Sequence, residues 1–390
     1  MKVLHVIPSI SIEDGGPSVA LVSLAKALSD SDISTTIITT TGEADAGNDC
    51  RFATGTAKVI YFRRNFLPYK VAWKMLPWLL ENIRRFDIVH VHAVFSFASV
   101  TTALIARWKG VPYIIRPLGV LNRWGIKNRR PIAKRISYKL IESNILRKAA
   151  FIHFTSAQEA EQAYELDERL RVVPAVTLPL PIEIPQRSGN NDGFLKRFPQ
   201  LKNVDWILYL SRFDRQKGIE LLLKAFATLC AQDPECLLVL AGGGESSYVE
   251  SLQKQATDLG IQHRVIWPGY LTGVEKSEAF AGASVFVLPS YSESFGIAAA
   301  EALASGCACV LSDGIPFAAD VAEEGGALLI QCEVDSLTSA IATLLGDAAK
   351  REQIAWHGRR YAQEHFSPSA VAAAIKSKYV DLLSPSRNSN

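Results

Sequence analysis

Short apolar β-rich segments alternate with longer segments of helical periodicity along nearly all of the 390-residue sequence. A strand, a helix and a following strand form a right-handed βαβ unit, so this alternation predicts parallel sheets covered by helices. The predicted fold class is therefore α/β. Strands are predicted near 2–7, 33–40, 58–62, 87–92, 112–116, 150–154, 205–211, 236–241, 263–267, 284–289 and 307–312. Helices of the first half are predicted near 17–29, 70–84, 96–108, 133–148 and 157–165.

The length predicts more than one domain, because a single hydrophobic core rarely grows to this size. The segment 178–192 is rich in Pro, Gly and polar residues and cannot hold a long helix, so it marks the domain linker. We predict an N-terminal Rossmann-like domain at 1–184, a linker at 185–200, a second Rossmann-like domain at 201–366, and a final helix with its tail at 367–390.

The composition is that of a globular protein, and free thiols without an export signal lead us to expect a cytoplasmic one. No apolar run reaches the roughly 18–20 residues that a membrane span needs, and residues 1–8 are too short and strand-like for a signal peptide. The six cysteines lack metal-ligand spacing, and Cys307 and Cys309 are predicted to be small core residues. The net charge of +3 is too small to indicate nucleic acid as a partner.

Basic residues concentrate in the first half. Residues 63–80 mix aromatic and basic side chains, a mixture that suits a helix lying on an anionic membrane surface. A solvated helix face with aromatic core residues explains the same pattern, and the sequence leaves both interpretations open. The concentrated basic residues are Arg123, Lys127, Arg129, Arg130, Lys134, Arg135, Lys139, Arg147 and Lys148.

The most informative site pattern follows the strand at 284–290. A Gly-containing turn comes next and then a helix, an arrangement that binds anions through free backbone N–H groups and the helix dipole. Glu293 lies in the turn and Glu301 in the first turns of the helix. Two carboxylates beside an anion site suit a ligand that also carries hydroxyl groups, such as a sugar nucleotide.

A second cluster follows the strand at 205–211. Arg212 and Lys217 leave the carboxyl end of this strand, where ligands bind in open parallel sheets, and Gly218 precedes the next helix. A guanidinium and an ammonium can neutralise a diphosphate leaving group without a metal ion. We therefore expect no metal and no cofactor.

Together these motifs resemble the retaining family 4 glycosyltransferases of bacterial polysaccharide biosynthesis. The shared features are Ser-Arg-x4-Lys-Gly at 211–218, Glu-x7-Glu at 293–301, the glycine pair Gly15 and Gly16, and Asp-Ile-Val-His-Val-His at 87–92. The resemblance implies the GT-B fold, in which two Rossmann-like domains face each other across a cleft and a C-terminal helix crosses back to the first domain. It also implies that the first domain binds the acceptor and the second binds the nucleotide sugar. One departure is Ala175-Val176-Thr177, where the family often has Asn-Gly-Val after a strand.

The resemblance also implies roles for individual residues. Glu293, His92, Arg212 and Lys217 form the expected catalytic set, with His92 at the donor sugar and Glu293 orienting its hydroxyls. Glu301 is expected to hold the ribose. His90 is the rival of His92, His5 and His153 are expected to be structural, and Arg116 is a weaker candidate. The expected donor-binding residues are Gly15, Gly16, Gly243, Tyr270, Phe295, Gly296, Ile297 and Glu301.

The function implied is transfer of a hexose from a nucleoside-diphosphate sugar, with the anomeric configuration retained. UDP-glucose is the favoured donor, GDP-mannose comes next, and the acceptor is a saccharide or a lipid-linked saccharide. Association with the inner face of the plasma membrane is a further expectation. Two alternatives stay open, namely a sugar-nucleotide epimerase of similar fold and a non-catalytic subunit of polysaccharide assembly.

Overall fold

The chain forms two compact units in a computed structural model, which describes residues 1–10, 16–42, 57–66, 68–121, 131–185, 191–231 and 235–384. The first unit comprises Met1–Pro181 together with Pro368–Asn390, and the second comprises Ile182–Ser367. Gly15, the basic residues between 122 and 130, Cys50 and the tail from 385 onwards lie outside the described residues. None of the described helices is both long and apolar enough to cross a bilayer.

The first unit contains a sheet of seven parallel strands in the order β3-β2-β1-β4-β5-β6-β7. β1 lies between β2 and β4, so the chain builds the sheet outward in one direction and then in the other from this point. The strands are β1 Lys2–Val6, β2 Ser34–Thr41, β3 Lys58–Arg63, β4 Ile88–His92, β5 Tyr113–Arg116, β6 Phe151–Phe154 and β7 Ala175–Thr177.

Helices cover both faces of this sheet, as the alternating pattern predicts. Ser96 begins the third helix by accepting a hydrogen bond from the Ser99 amide, and Gly110 ends it in the left-handed conformation. The helices are α1 Gly16–Ser29, α2 Met75–Asn82, α3 Phe97–Lys109, α4 Pro131–Ser137, a π-helical segment Tyr138–Glu142, α5 Ser143–Arg147 and α6 Ala157–Leu166.

The last helix of the chain, α15 at Pro368–Leu383, packs onto the first unit. Its buried side chains Val371, Ile375 and Tyr379 join an apolar cluster with Val3 and Leu24 from β1 and α1. The predicted return of the C-terminal helix to the first domain is therefore confirmed.

Two segments of the first unit differ from the sequence prediction. The helix predicted at 70–84 begins only at Met75. Lys70 has a left-handed backbone angle, and Val71 pairs with Phe66 in an isolated β-bridge, so the chain is not helical at these positions. Residues 175–177 were predicted to follow a strand, but they form the edge strand β7 themselves, paired with β6. A three-residue strand is too short to show a periodic pattern.

The second unit contains six parallel strands in the order β10-β9-β8-β11-β12-β13. Its strands are β8 Trp206–Leu210, β9 Leu237–Ala241, β10 Val265–Gly269, β11 Val285–Leu288, β12 Cys309–Ser312 and β13 Leu328–Ile330. Its helices are α7 Asp192–Arg197, α8 Ile219–Cys230, α9 Ser246–Asp258, α10 Gly273–Gly282, α11 Ile297–Ser305, α12 Ala318–Glu323, α13 Val334–Gly346 and α14 Ala348–His365. The fold class is the predicted α/β class. As predicted, Cys307 and Cys309 are buried in this unit.

Part of the segment predicted as a linker is packed into the second unit. The short helix α7 buries Phe194, whose ring stacks on Trp206 of β8 with 5.7 Å between the ring centroids. The structure divides the chain at Pro181 and Ile182, at the start of the Pro-rich segment.

Candidate active site

Each sheet has one point where strand order reverses, and the predicted catalytic residues follow the strands at these points. In the second unit β8 and β11 are neighbours, while the next strand along the chain from β8 lies on its other side. The loops after such a strand pair diverge and leave a crevice, which is where open α/β sheets bind ligands. Arg212 and Lys217 follow β8, and Glu293 follows β11.

The loop after β8 is held close to the loop after β11 by a glycine. Gly218 has φ of +67°, and a Cβ there would lie well inside the van der Waals distance of the Pro289 carbonyl oxygen. The Tyr291 amide also donates to the Gln216 carbonyl at 2.8 Å. Asp214 supports this turn by accepting a hydrogen bond from the Gln216 amide. The two loops therefore form one continuous backbone surface.

An ion pair links the two predicted catalytic clusters. The Lys217 ammonium lies 2.5 Å from Oε1 of Glu293, and both side chains are nearly buried, with 13% and 11% exposed. The Ser290 hydroxyl donates to the same oxygen at 3.0 Å, and the Glu293 amide donates to the Gly314 carbonyl. The structure thus brings Lys217 and Glu293 together, although 76 residues separate them in the sequence.

The helix after β11 presents the N-terminus that the sequence predicts. Gly296 precedes α11 with φ of +95°, and no side chain caps the helix there. The Phe295 side chain points into the core against Phe317 and Phe366, at centroid distances of 5.3 and 5.4 Å. Among Phe295, Gly296 and Ile297, phosphate binding would therefore fall to backbone amides.

Glu301 has a partner that the sequence motifs do not indicate. The Lys276 ammonium of α10 lies 2.6 Å from its Oε1, and the two side chains are 30% and 26% exposed. No periodic pattern or motif connects residues 25 positions apart on two helices. Lys276 holds one carboxylate oxygen of Glu301, and contact of Glu301 with a ribose stays a prediction.

The glycines after β9 pack against the loop that carries Arg212. Cβ atoms on Gly242 and Gly244 would collide with the carbonyl oxygens of Ser211 and Phe213, so both glycines are required by backbone packing. Gly243 lies under the edge of the exposed Tyr270 ring, whose hydroxyl donates to the Gly243 carbonyl at 3.2 Å. Contact of Gly243 and Tyr270 with a nucleotide stays a prediction.

Within the first unit, His92 ends β4 at the corresponding reversal point beside β1. Its imidazole is 1% exposed, and Nε2 lies 3.0 Å from Nδ1 of His5. His92 therefore uses its ring in the interior, and a direct role at the sugar would fall to its main chain. Gly16 begins α1, which follows β1.

Four histidines form a polar layer on one face of the first sheet. Four strands of this sheet each contribute one residue to an apolar layer on this face, namely Val3, Ile88, Ile114 and Phe151. Side chains two positions further along a strand point to the same face, and these are His5, His90, Arg116 and His153. His90 stacks on His92 at 4.2 Å between centroids. His90 also pairs with the Tyr379 hydroxyl at 2.7 Å and with His153 at 3.3 Å.

Burial and the neighbouring Arg116 guanidinium keep these imidazoles neutral. Burial, and secondarily Arg116, lower the pKa of His5 to about 3, and burial lowers the pKa values of His90, His92 and His153 well below the ordinary value. His5 thus lies within hydrogen-bonding distance of the predicted site residue His92. His90 stacks on His92, and His153 in turn contacts His90.

The ring nitrogens of His5, His90 and His92 lie close enough together to suggest a metal site. The buried cation Arg116 argues against one, because a divalent ion would add positive charge close to a buried guanidinium. Nε of Arg116 and Nε2 of His5 are buried without a hydrogen-bond partner among the described residues. The absence of a metal requirement stays a prediction.

Both halves of the chain match glycosyltransferase families. Residues 15–176 match the family described as "Glycosyl transferase 4-like domain", and residues 194–361 match "Glycosyl transferases group 1". An uncharacterised glycosyltransferase of Methanocaldococcus jannaschii is 29% identical over 174 residues, 44% of this chain and 44% of the relative. D-inositol 3-phosphate glycosyltransferase 1 of Catenulispora acidiphila is 31% identical over 238 residues, 57% of this chain and 54% of the relative.

These alignments span about half the length of each of the two curated relatives. A crystal structure of Anabaena HepE in complex with UDP and glucose matches the fold with a TM-score of 0.76 at 19% identity, covering 98% of this chain and 100% of that chain. Two parallel α/β units with a returning C-terminal helix define the GT-B class of transferases. The chain belongs to the family 4 glycosyltransferases, as the sequence motifs predict.

Proposed function

We propose that the protein is a retaining, metal-independent hexosyltransferase that uses a UDP-sugar, with glucose favoured over other hexoses. The observation that carries the proposal is the nearly buried Lys217–Glu293 pair, beside the uncapped N-terminus of α11 at the β8–β11 reversal point. This arrangement joins positive charge for a diphosphate to a carboxylate that accepts hydrogen bonds from sugar hydroxyls. The complex of HepE with UDP and glucose supports the choice of donor.

The proposed mechanism relies on electrostatic stabilisation of the leaving group. Arg212, Lys217 and the amides that begin α11 stabilise the charge that develops on the departing diphosphate. Glu293 orients the sugar hydroxyls. A donor phosphate oxygen takes the proton of the acceptor hydroxyl as the new glycosidic bond forms on the same face of the sugar. Polysaccharide biosynthesis, with a saccharide or lipid-linked saccharide as acceptor, is the proposed setting.

Donor binding is expected to be selective and independent of divalent metal. A thermal-shift screen over UDP- and GDP-sugars should give the largest rise in Tm with UDP-glucose, since a ligand at 100 times its Kd stabilises the fold by about 2.7 kcal/mol. The shift and the transfer rate should both survive EDTA. Loss of transfer in EDTA that magnesium or manganese restores would contradict metal independence. A larger rise in Tm with GDP-mannose than with UDP-glucose would show that GDP-mannose is the preferred donor.

We also propose that the first unit associates with an anionic membrane surface on the cytoplasmic side. Ile132, Ile136 and Leu140 recur at intervals of four along α4 and the π-helical segment, and all three side chains are exposed. Lys134, Arg135 and Lys139 lie between them in the sequence. An apolar stripe interleaved with cations suits an interface with acidic lipid headgroups.

Flotation with anionic liposomes at low ionic strength tests the membrane proposal. The parent protein is expected to float with the vesicles, and the double variant Ile136→Glu, Leu140→Glu should stay in the dense fraction, because it places negative charge on the stripe. Val172→Glu is the matched control, since Val172 is exposed in the same unit but lies outside the stripe. Equal flotation of both variants would reject this surface.

A further inference from the structure

Two loops leave the carboxyl edge of the first sheet in costly backbone conformations. After β4, Ala93 and Phe95 have φ of +116° and +59°, and after β5 Leu118 has φ of +57°. Residues with a Cβ seldom adopt these angles, and such residues cluster at functional sites where surrounding contacts hold them. The first of these loops, residues 93–96, begins directly after His92.

A buried glutamate holds each loop by a backbone amide. Oε1 of Glu142 accepts a hydrogen bond from the Phe95 amide at 3.1 Å, and Oε1 of Glu159 accepts one from the Gly119 amide. Both glutamates are almost completely buried. Glu142 ends the π-helical segment, a local irregularity that is frequent at functional sites.

The two glutamates differ in how well their carboxyl groups are satisfied. Oε2 of Glu159 accepts from the amide and the hydroxyl of Thr155, both at 2.6 Å. Oε1 of Glu142 accepts from Phe95 and from the Tyr69 hydroxyl at 3.0 Å, with the Ser137 hydroxyl at 3.5 Å. Oε2 of Glu142 is buried without a partner among the residues that the structure describes.

Few charged or titratable groups face Glu142. Tyr69 contacts it from the neighbouring segment, and residues 93–96 carry no titratable side chain. On its own helix Tyr138 turns its hydroxyl to Asp167, and Lys134 lies with its ammonium 5.9 Å from the Phe95 ring centroid. Burial outweighs the three hydrogen bonds and raises the pKa of Glu142 from 4.5 to about 7.

We propose that Glu142 is a positioning residue that holds loop 93–96 closed on the acceptor side of the site, and that loss of its proton releases this loop. The inference rests on the proposed transferase function and on the expectation that the first unit binds the acceptor, since loop 93–96 leaves the carboxyl end of β4 in that unit. The carboxyl group ties three chain segments together, and its unpartnered Oε2 makes the ionised form costly while the loop stays closed.

The direction of the pH effect follows from linkage. The closed loop buries Glu142 and raises its pKa, whereas an open loop lets water solvate the carboxylate and restores an ordinary pKa. The closed form therefore binds the proton more tightly and is favoured at low pH. This preference declines as pH rises from about 4.5 to about 7 and stays constant above that range.

Hydrogen exchange of the backbone amides in 93–97 tests the release without any substrate. After correction for intrinsic exchange, the opening equilibrium of the parent protein should rise about tenfold per pH unit between about pH 5 and about pH 7. Glu142→Gln should abolish this dependence, since its amide cannot ionise. Tyr69→Phe removes one hydrogen bond to the carboxylate, so the dependence should extend to higher pH. Glu159→Gln is the matched control and should retain the parental dependence.

Transfer kinetics test whether the loop positions the acceptor. The acceptor KM of the parent protein should rise over the same pH range, this rise should vanish in Glu142→Gln, and UDP affinity should match the parent throughout. If the exchange rates of the parent protein change with pH only as intrinsic exchange does, the opening equilibrium is independent of pH. That result would overturn the claim that loss of the Glu142 proton releases the loop. A second outcome is that exchange behaves as expected but the acceptor KM of Glu142→Gln still follows the parental pH profile. That outcome would overturn the role of loop 93–96 in positioning the acceptor. Absence of all transfer activity would instead count against the proposed function, and the exchange result would still stand.

Discussion

Replacing Glu293 by alanine is expected to lower the turnover of bound donor by about a hundredfold or more, the size of effect seen when one preorganised transition-state contact is removed. In the proposed mechanism the carboxylate orients the sugar hydroxyls, and its loss also frees the Lys217 ammonium from its 2.5 Å contact. UDP affinity should change little. Glu293→Gln should recover part of the rate, because the amide keeps hydrogen bonding to Ser290 and loses the charge.

Glu301→Ala is expected to give the opposite result, with weaker donor binding and nearly parental turnover at saturation. A ribose contact contributes similarly in the ground and transition states, and a hydrogen bond to a charged group is worth about 1.5–3 kcal/mol, or roughly ten- to a hundredfold in Kd. Glu275→Ala is the matched control, because it breaks an exposed ion pair with Arg197 on the same unit. Parental turnover in Glu293→Ala would show that Glu293 lies outside the active site.

Gly218→Ala is expected to destabilise the second unit and to lower transfer by about a hundredfold, since displacement of a catalytic group by 1 Å can have that effect. A methyl group at Gly218 would collide with the Pro289 carbonyl, so the loop that carries Ser290 and Glu293 must move. The left-handed backbone adds about 1–2 kcal/mol of strain.

Gly260→Ala is the control that separates left-handed backbone strain from the steric collision with the Pro289 carbonyl. Gly260 follows α9 in the same unit with φ of +71°, and a Cβ there would meet no heavy atom within 4 Å. This variant should lose about 1–2 kcal/mol of unfolding free energy, as read from urea denaturation, and should transfer sugar at the parental rate. Equal losses of activity in Gly218→Ala and Gly260→Ala would contradict the claim that the close contact between Gly218 and the Pro289 carbonyl positions Glu293.

The strands that are central in each sheet were predictable, because buried parallel strands read as continuous apolar runs. The pairing of Lys217 with Glu293 was predictable only through motifs, since each residue follows a strand and the strands become neighbours in the folded sheet. The short strands β7 and β13 were missed, as three residues carry no measurable period.

Other site features arise only in three dimensions. The contact between His5 and His92 arises because β1 pairs with β4, and no sequence pattern indicates that pairing. Lys276 and Glu142 have unremarkable sequence contexts, and their partners lie on other elements. The burial of the His92 imidazole was likewise not evident from its place at the end of a strand.

The anomeric configuration of the first product tests the central claim most directly. UDP-glucose labelled in the sugar is incubated with the parent protein and with Glu293→Ala, with a membrane saccharide fraction as acceptor, and the labelled anomeric centre is followed by NMR. We expect an α-linked glucoside from the α-linked donor, formed at least about a hundredfold more slowly by Glu293→Ala. A β-linked product, an epimerised donor without transfer, or equal rates for the two proteins would contradict the account.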